Sequence, residues 1–295
     1  MAQSFRSLIL DQVGSTNREA FALAESGVAG PLWVMARRQS AGRGRADRQW
    51  VSAPGNLHAS LLIELDCPPT AVPQLSLLAG VATFDAIRRA AAADGAPVPA
   101  GLRLKWPNDV LIGQAKCAGI LVETSGAFPG RRGMASPVQG RRLDPSAPFG
   151  EETPAPGSSL AITAVIGIGI DLAWHPTAMH RAATDLAAHG CRIAPEAMLE
   201  ILDEAMQRWL GIWDNGRGFH RIRQGWLEGA GPVGEMCTVD TGRERIAGTF
   251  ADLDPTGALI ICDNHGRRRT VTFGDVALDR APDWALAGPA SKEAS

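Results

Sequence analysis

Apolar residues recur along this chain in two rhythms, one near 3.6 residues and one near 2, and the switches between them outline its elements. Thr16-Asn17-Arg18-Glu19 reads as a capping box, with Thr16 as N-cap and Glu19 reaching back. The helix it opens runs through Phe21 and Leu23 and stops near Gly27. Leu32 to Ala36 reads as a strand, followed by a Gly/Arg-rich loop from Gln39 to Pro54 and a strand from Leu57 to Ile63. After Pro73, Leu77, Val81 and Phe84 fall at helical spacing. Leu102 to Lys105 is a short strand broken at Trp106-Pro107-Asn108-Asp109. Val110 to Ile112 and Lys116 to Glu123 then pair as a hairpin through Gly113-Gln114. Ala161 to Ile170 is an apolar strand, and Leu199, Leu202, Met206 and Trp209 mark one face of a helix.

The pattern collapses between Thr124 and Ser159, a stretch rich in Gly, Pro, Ser and Arg that reads as a disordered insertion inside a strand connection. Past Pro232 the style changes to short strands: Met236 to Val239, Ile246 to Asp252, Ala258 to Cys262 and Arg269 to Phe273. Asp254-Pro255-Thr256-Gly257 is a strong turn between two of them. This spacing predicts a small β-barrel. The expected organisation is a larger domain over 1–230, a small barrel over 231–280 and an unstructured tail over 281–295.

Composition narrows the function classes. A chain of 295 residues, 45% of them hydrophobic, can build one full-sized domain plus a small one. A net charge of −2 gives no global pull toward nucleic acid or an anionic membrane. No apolar run reaches the length of a membrane span, and Leu8-Ile9-Leu10 before Asp11 is too short for a signal-peptide core. The five cysteines are scattered, without a metal-binding spacing, which fits free thiols in a reducing cytoplasm. Of 29 basic residues only three are lysines: Lys105, Lys116 and Lys292. A lysine that persists in so arginine-rich a chain marks a position where the compact ammonium head matters, or chance.

Four segments carry candidate chemistry. In Gly42-Arg43-Gly44-Arg45 the glycines let backbone fold closely over a ligand, and the arginines offer planar forks to carboxylate or phosphate. Alone this is equally an exposed flexible loop or a nonspecific RNA contact, although an RNA surface would want interleaved aromatics that the loop lacks before Trp50. Lys105-Trp106-Pro107-Asn108-Asp109 and Lys116-Cys117-Ala118-Gly119 form the second, with Lys116 as a cleft-facing ammonium or a solvated turn residue. Cys117, among Ala118, Gly119 and Ile120, reads as a small buried strand residue rather than a nucleophile. Gly14-Ser15-Thr16-Asn17 opens the first helix, where free N–H groups bind polar or anionic groups or are simply capped. Ile166-Gly167-Ile168-Gly169-Ile170-Asp171 superficially resembles a dinucleotide glycine loop. Its glycines sit inside a strand and the third is missing, so close approach to a nucleotide or tight packing against a helix replaces the Rossmann reading.

Taken in order, these segments resemble those of the biotin–protein ligases. The resemblance rests on Ser15-Thr16-Asn17, Gly42 to Trp50, Lys105 to Asp109, Lys116 to Glu123, Gly167 to Asp171 and Ala183-Thr184-Asp185-Leu186. It implies an α+β fold: a mixed-sheet catalytic domain of the biotin/lipoate ligase type with an SH3-like C-terminal barrel. It implies ATP and biotin as substrates, Mg²⁺ as cofactor, and the biotin carboxyl carrier domain of a carboxylase as acceptor. Carried over by motif, Ser15, Thr16 and Asn17 bind the biotin ureido head, Gln39 lies beside biotin, and Gly119 makes a backbone contact. Arg43, Gly44 and Arg45 close over biotin and the adenylate, and Lys116 contacts the reacting carboxylate and α-phosphate. Trp50, Asn108 and Asp171 fall on the nucleotide side, with Asp171 as a candidate magnesium ligand. Lys116, Arg43 and Arg45 form the catalytic set, neutralising charge while the biotin carboxylate attacks the α-phosphorus.

Two positions depart from the family pattern: Asp47 and Asp171 stand where it usually has glycine and asparagine. The Ser-Thr-Asn segment begins at residue 15, which leaves no room ahead of it for the DNA-binding domain some relatives carry, so no DNA role is expected. Two other readings compete. A lipoate or octanoate ligase would share the fold, yet its Arg-x-x-Gly-Gly-Gly-x-x-x-His loop is absent. A non-catalytic biotin-binding protein would accommodate both departures.

Overall fold

A computed structural model describes residues 4–46, 48–125, 162–177 and 182–278. Asp47, most of the 124–159 insertion and the tail lie outside the described residues.

The chain opens with strand β1 (Arg6–Val13), helix α1 (Thr16–Glu25) and strand β2 (Leu32–Gln39). β1 and β2 pair in parallel, joined by the α1 crossover. β3 (Leu57–Leu65) is followed by the long helix α2 (Gln74–Ala93), then β4 (Leu102–Lys105), β5 (Asp109–Ile112), β6 (Ala115–Ser125) and β7 (Ile162–Ile170). These seven strands form one mixed sheet in the order β1-β2-β3-β7-β6-β5-β4, antiparallel apart from the first pair. Helices α3 (Pro195–Trp213) and α4 (Phe219–Gly229) complete the larger unit.

The burial pattern explains the layering. β3 is buried at every position but Glu64, so it must be covered on both faces. On one face α1 contributes Ala20 and Ala24 against Leu32, Val34, Leu62 and Val165. On the other, α2 lays Leu75, Leu78, Ala82 and Ile87 into the main core with α3 and α4. α2 is long and apolar enough to suggest a membrane span by composition, but that character serves this core.

β8 (Met236–Asp240), β9 (Arg245–Leu253), β10 (Leu259–Asp263), β11 (Arg268–Val271) and β12 (Asp275–Leu278) form a separate antiparallel sheet, ordered β11-β10-β9-β8-β12. This separate sheet is consistent with an SH3-like C-terminal unit. It docks through the bend between β4 and β5: buried Trp106 donates its indole N–H to the Gly257 carbonyl at 3.0 Å. Arg103 pairs with Glu235 at 2.6 Å, and Arg223 reaches the Leu253 carbonyl and Asp252.

Three elements escape the periodicity. β1 alternates, but its exposed edge position leaves it short of apolar weight. α4 buries only Phe219, Ile222, Trp226 and Gly229, and β12 spans four residues. The capping box does not form. Ser15 takes the N-cap without a side-chain cap bond, and the Thr16 backbone N–H is instead held by Gln39 Oε1 at 2.9 Å.

Trp106→Ala removes both the packing and the hydrogen bond that dock the two units. A loss of about 3 kcal/mol or more in unfolding free energy is expected, checked by urea denaturation; an unchanged midpoint would show that Trp106 does not carry the docking.

Candidate active site

The cleft is built on the floor that β6 and β7 present. Within these strands, glycine occurs where another part of the chain comes down onto the sheet. A Cβ at Gly167 would collide with the Asn17 side chain, and one at Gly169 would meet the Trp50 ring at 2.5 Å. A Cβ at Gly119 would meet Lys116 Nζ at 2.7 Å and the Trp50 ring at 3.1 Å. The paired glycines of the 166–171 segment therefore admit Asn17, from the first turn of helix α1, at Gly167 and the Trp50 ring, from the loop, at Gly169.

One end of the cleft is a hydrogen-bonded network of amides and hydroxyls, flanked by the Arg43–Glu123 ion pair. Gln39 Oε1 accepts from Thr16 N–H and lies 3.2 Å from Thr16 Oγ1, while Gln39 Nε2 donates to Ser52 Oγ at 3.0 Å. The buried Ser60 hydroxyl lies 2.6 Å from Asn17 Oδ1 and 2.7 Å from Thr16 Oγ1. Having one proton, it donates to the amide oxygen, which accepts only. Asn17 Nδ2 donates to the Leu121 carbonyl and to Glu123 Oε2 at 2.8 Å. The same Glu123 oxygen takes Arg43 Nη2 at 2.6 Å. Arg43 Nε is buried without a partner among the described residues. A buried unpaired guanidinium N–H is costly and marks a place for an acceptor.

The other end is ionic. Lys116 Nζ sits 2.6 Å from Asp109 Oδ1, and Lys105 Nζ 2.9 Å from Asp109 Oδ2. Two of the chain's three lysines thus clamp one buried carboxylate. Burial alone would push the Asp109 carboxyl up, but the two ammonium groups outweigh it and hold it well below the usual range. The Lys116 ammonium lies 5.4 Å from the Trp50 ring centroid, a cation–π distance. Cys117 is fully buried and burial raises its thiol, so it stays a protonated strand residue.

Above this floor runs the Arg43–Trp50 loop, closed by Gly44 N–H to the Arg48 carbonyl at 2.6 Å and Trp50 N–H to the Gly42 carbonyl at 3.0 Å. Arg45 donates to Asn108 Oδ1 at 3.1 Å, and Asn108 Nδ2 donates to the Ile120 carbonyl. Arg48 reaches across to Asp275 of β12 at 2.8 Å. The structure brings all twelve residues singled out in sequence to this one cleft: Ser15, Thr16, Asn17, Gln39, Arg43, Gly44, Arg45, Trp50, Asn108, Lys116, Gly119 and Asp171.

Asp171 is buried and takes one side-chain hydrogen bond, from Asn56 Nδ2 at 3.0 Å. Burial pushes its carboxyl up to about 8; Lys116 pulls it down and Asp185 pushes it up. The described residues contain no group of three or more His, Cys, Asp or Glu able to hold a metal, so a magnesium ion here would rest on the nucleotide phosphates with at most one or two carboxylates.

Sequence reasoning missed Ser60, His58 and Asp109 as site residues. His58 and Ser60 are polar at alternate positions of an otherwise apolar buried strand, a signal that was present. Asp109 stood inside a candidate segment, but its role as the shared partner of two lysines was not readable, because the three meet only in the fold.

The Biotin/lipoate A/B protein ligase family model matches residues 10–130, and the Biotin protein ligase C terminal domain model matches residues 233–279. A biotin–[acetyl-CoA-carboxylase] ligase of Paracoccus denitrificans is 35% identical over 266 residues, covering 88% of this chain and 95% of that protein. This chain belongs to the biotin–protein ligase family. A second member, from Mycobacterium tuberculosis, is 28% identical over 91% of this chain and 87% of its own length. The biotin protein ligase from Aquifex aeolicus, solved with biotin and ATP, shares the fold at a TM-score of 0.68 and 23% identity, covering 94% of this chain and 99% of that one.

The raised Asp171 carboxyl has a stability consequence with a definite sign. An unfolded aspartic acid ionises near pH 3.9, whereas folded Asp171 holds its proton until about pH 8, so unfolding at neutral pH releases a proton. Its contribution to stability therefore falls as pH rises between those values. Asp171→Asn, with nothing to ionise, is expected to raise Tm at pH 7.5 and leave it nearly unchanged at pH 4. Equal Tm differences at both pH values would refute the buried neutral acid.

Proposed function

We propose that this ligase activates biotin with ATP to biotinyl-5′-AMP and passes the biotinyl group to a lysine of a biotin carboxyl carrier domain. The observation that carries this reading is the polarity of the cleft. Neutral amide and hydroxyl groups around Asn17 occupy one end and the Lys116 ammonium the other. Along β6 the neutral groups bond at Leu121, while the Lys116 side chain folds back so that its ammonium lies against Gly119. A ligand with a neutral polar head, an apolar middle and an anionic tail fits that layout.

In this reading Ser15, Thr16, Asn17 and Gln39 receive the ureido head, and the apolar chain of biotin crosses Gly119. The Ser15 hydroxyl, unused as a helix cap, and the orphaned Arg43 Nε are the groups left to meet ligand oxygens. Lys116 and Arg45 lie where carboxylate and α-phosphate would meet. The carboxylate oxygen attacks the α-phosphorus, the bond to the bridging oxygen breaks, and pyrophosphate leaves with that electron pair. Lys116 acts by neutralising charge that accumulates on the phosphoryl oxygens, with Asp109 fixing its position. The arginine loop, folded over the cleft, excludes water from the mixed anhydride. The acceptor amine then attacks the acyl carbon and AMP departs. The five free cysteines suit a reducing compartment such as the cytoplasm.

The direct test is mass spectrometry of an apo carrier domain incubated with the protein, biotin and Mg-ATP. A gain of one biotinyl group is expected, and an unmodified carrier under these conditions would sink the proposal. Lys116→Arg tests the role at the ionic end. A guanidinium cannot enter the narrow space between Asp109, Trp50 and Gly119, so biotin-dependent pyrophosphate exchange should fall roughly 10²-fold, the scale of losing one transition-state donor. Near-normal exchange would return Lys116 to a surface role.

A further inference from the structure

The hydrogen bonds around Trp50 give His58 a task that charge neutralisation and head-group binding leave unfilled. Trp50 ends the arginine loop, and its ring lies directly over Gly169 and Gly119 with the Lys116 ammonium on it. The only polar group of an indole is a donor. It points at His58 Nδ1, 3.3 Å away, and His58 Nε2 lies 3.3 Å from the Ala53 carbonyl. Only one tautomer serves both contacts: Nδ1 bare and accepting, Nε2 protonated and donating. His58 is 1% exposed on β3, directly opposite Gly169 of β7, so the ring cannot turn to water to satisfy either nitrogen.

We propose that His58 is a positioning residue that anchors the Trp50 indole and thereby fixes the arginine loop in its closed geometry over the cleft. The inference rests on the adenylation reading for its kinetic consequence, though the anchor itself does not. Protonation would place an N–H at Nδ1 facing the indole N–H, two donors in opposition, and release the ring. Among the described residues, the charged and titratable groups beside this pair include Lys116, across the indole, and Asp171, just past the end of β7. Burial holds the imidazole below its ordinary range, with the Ala53 carbonyl pulling it up, so the accepting form persists at neutral pH.

Two substitutions separate anchoring from bulk packing. His58→Asn keeps an acceptor where Nδ1 stands and cannot titrate; His58→Leu keeps comparable volume and offers none. In biotin-dependent pyrophosphate exchange, His58→Leu should raise KM for biotin about tenfold, the scale of one hydrogen bond, with kcat within about threefold. His58→Asn should stay within about threefold of the wild-type KM and lack the rise in KM expected of the wild type on acidification, once the depressed imidazole protonates. In ligand-free protein the Trp50 indole N–H resonance, assigned with Trp50→Phe, should move with pH in the wild type and stay fixed in His58→Asn. An unchanged biotin KM in His58→Leu overturns the proposal. Should that variant not fold, an acid limb in His58→Asn matching the wild type overturns it instead. A wild type without exchange activity would sink the adenylation reading, and the indole resonance would then decide the anchor: no movement with pH overturns it.

Discussion

Everything at this site depends on how closely side chains can approach the backbone of β6 and β7. Asn17 and Trp50, from a helix start and a loop, and Lys116, from the start of β6 itself, lie at distances where even one methyl group on the floor would collide with them. Remove that freedom at Gly167 and Asn17 must shift, which disturbs Ser60, Thr16 and Glu123 through the bonds they share. Remove it at Gly169 and the indole is displaced from His58 and Lys116 together. The conformational liberty of glycine matters little here, since none of the three has a positive φ. What counts is the missing Cβ. A strand interior normally loses stability at glycine. Here the neighbours of those glycines, Ile166, Ile168 and Ile170 among them, supply the packing.

The electrostatics divide the cleft into groups that keep charge and groups that shed it. Asp109 is buried yet ionised because two ammonium groups hold it, and in return it immobilises Lys116. Asp171, at the end of the neighbouring strand, is buried against a neutral amide and keeps its proton. Two carboxyls within one cleft thus take opposite states for the same reason, the number of cations in contact with each. The substitution of asparagine by aspartate relative to the family pattern costs little negative charge at neutral pH, because the carboxyl there is uncharged.

Much of this was legible in sequence. The loop, the lysine strand and the helix start were each identifiable by residue type, and the scarcity of lysine pointed to the two that meet on Asp109. The seven-stranded order was not legible, because pairing of β3 with β7 spans an interval in which periodicity vanishes. Nor was the true use of Thr16, whose N–H goes to Gln39 twenty-three residues away rather than to its own helix. Local patterns carry helix starts and strand runs. They do not carry which distant side chain outcompetes a local cap, and that competition is what shapes the neutral end of the cleft.

The contact of Arg48 with Asp275 makes the small C-terminal sheet a party to events in the cleft. The arginine loop is held at its base by the Gly42–Trp50 backbone bond and at its crown by a carboxylate from another unit. Any ligand that favours the closed loop therefore also favours the docked C-terminal sheet, and by linkage the reverse holds to the same extent. The coupling runs through a single half-exposed ion pair, so its size is bounded by what such a pair contributes, about 1 kcal/mol or less. Loosening the small unit with a partner, a crowding surface or a lesion far from the cleft would register first as a faster escape of whatever the loop encloses.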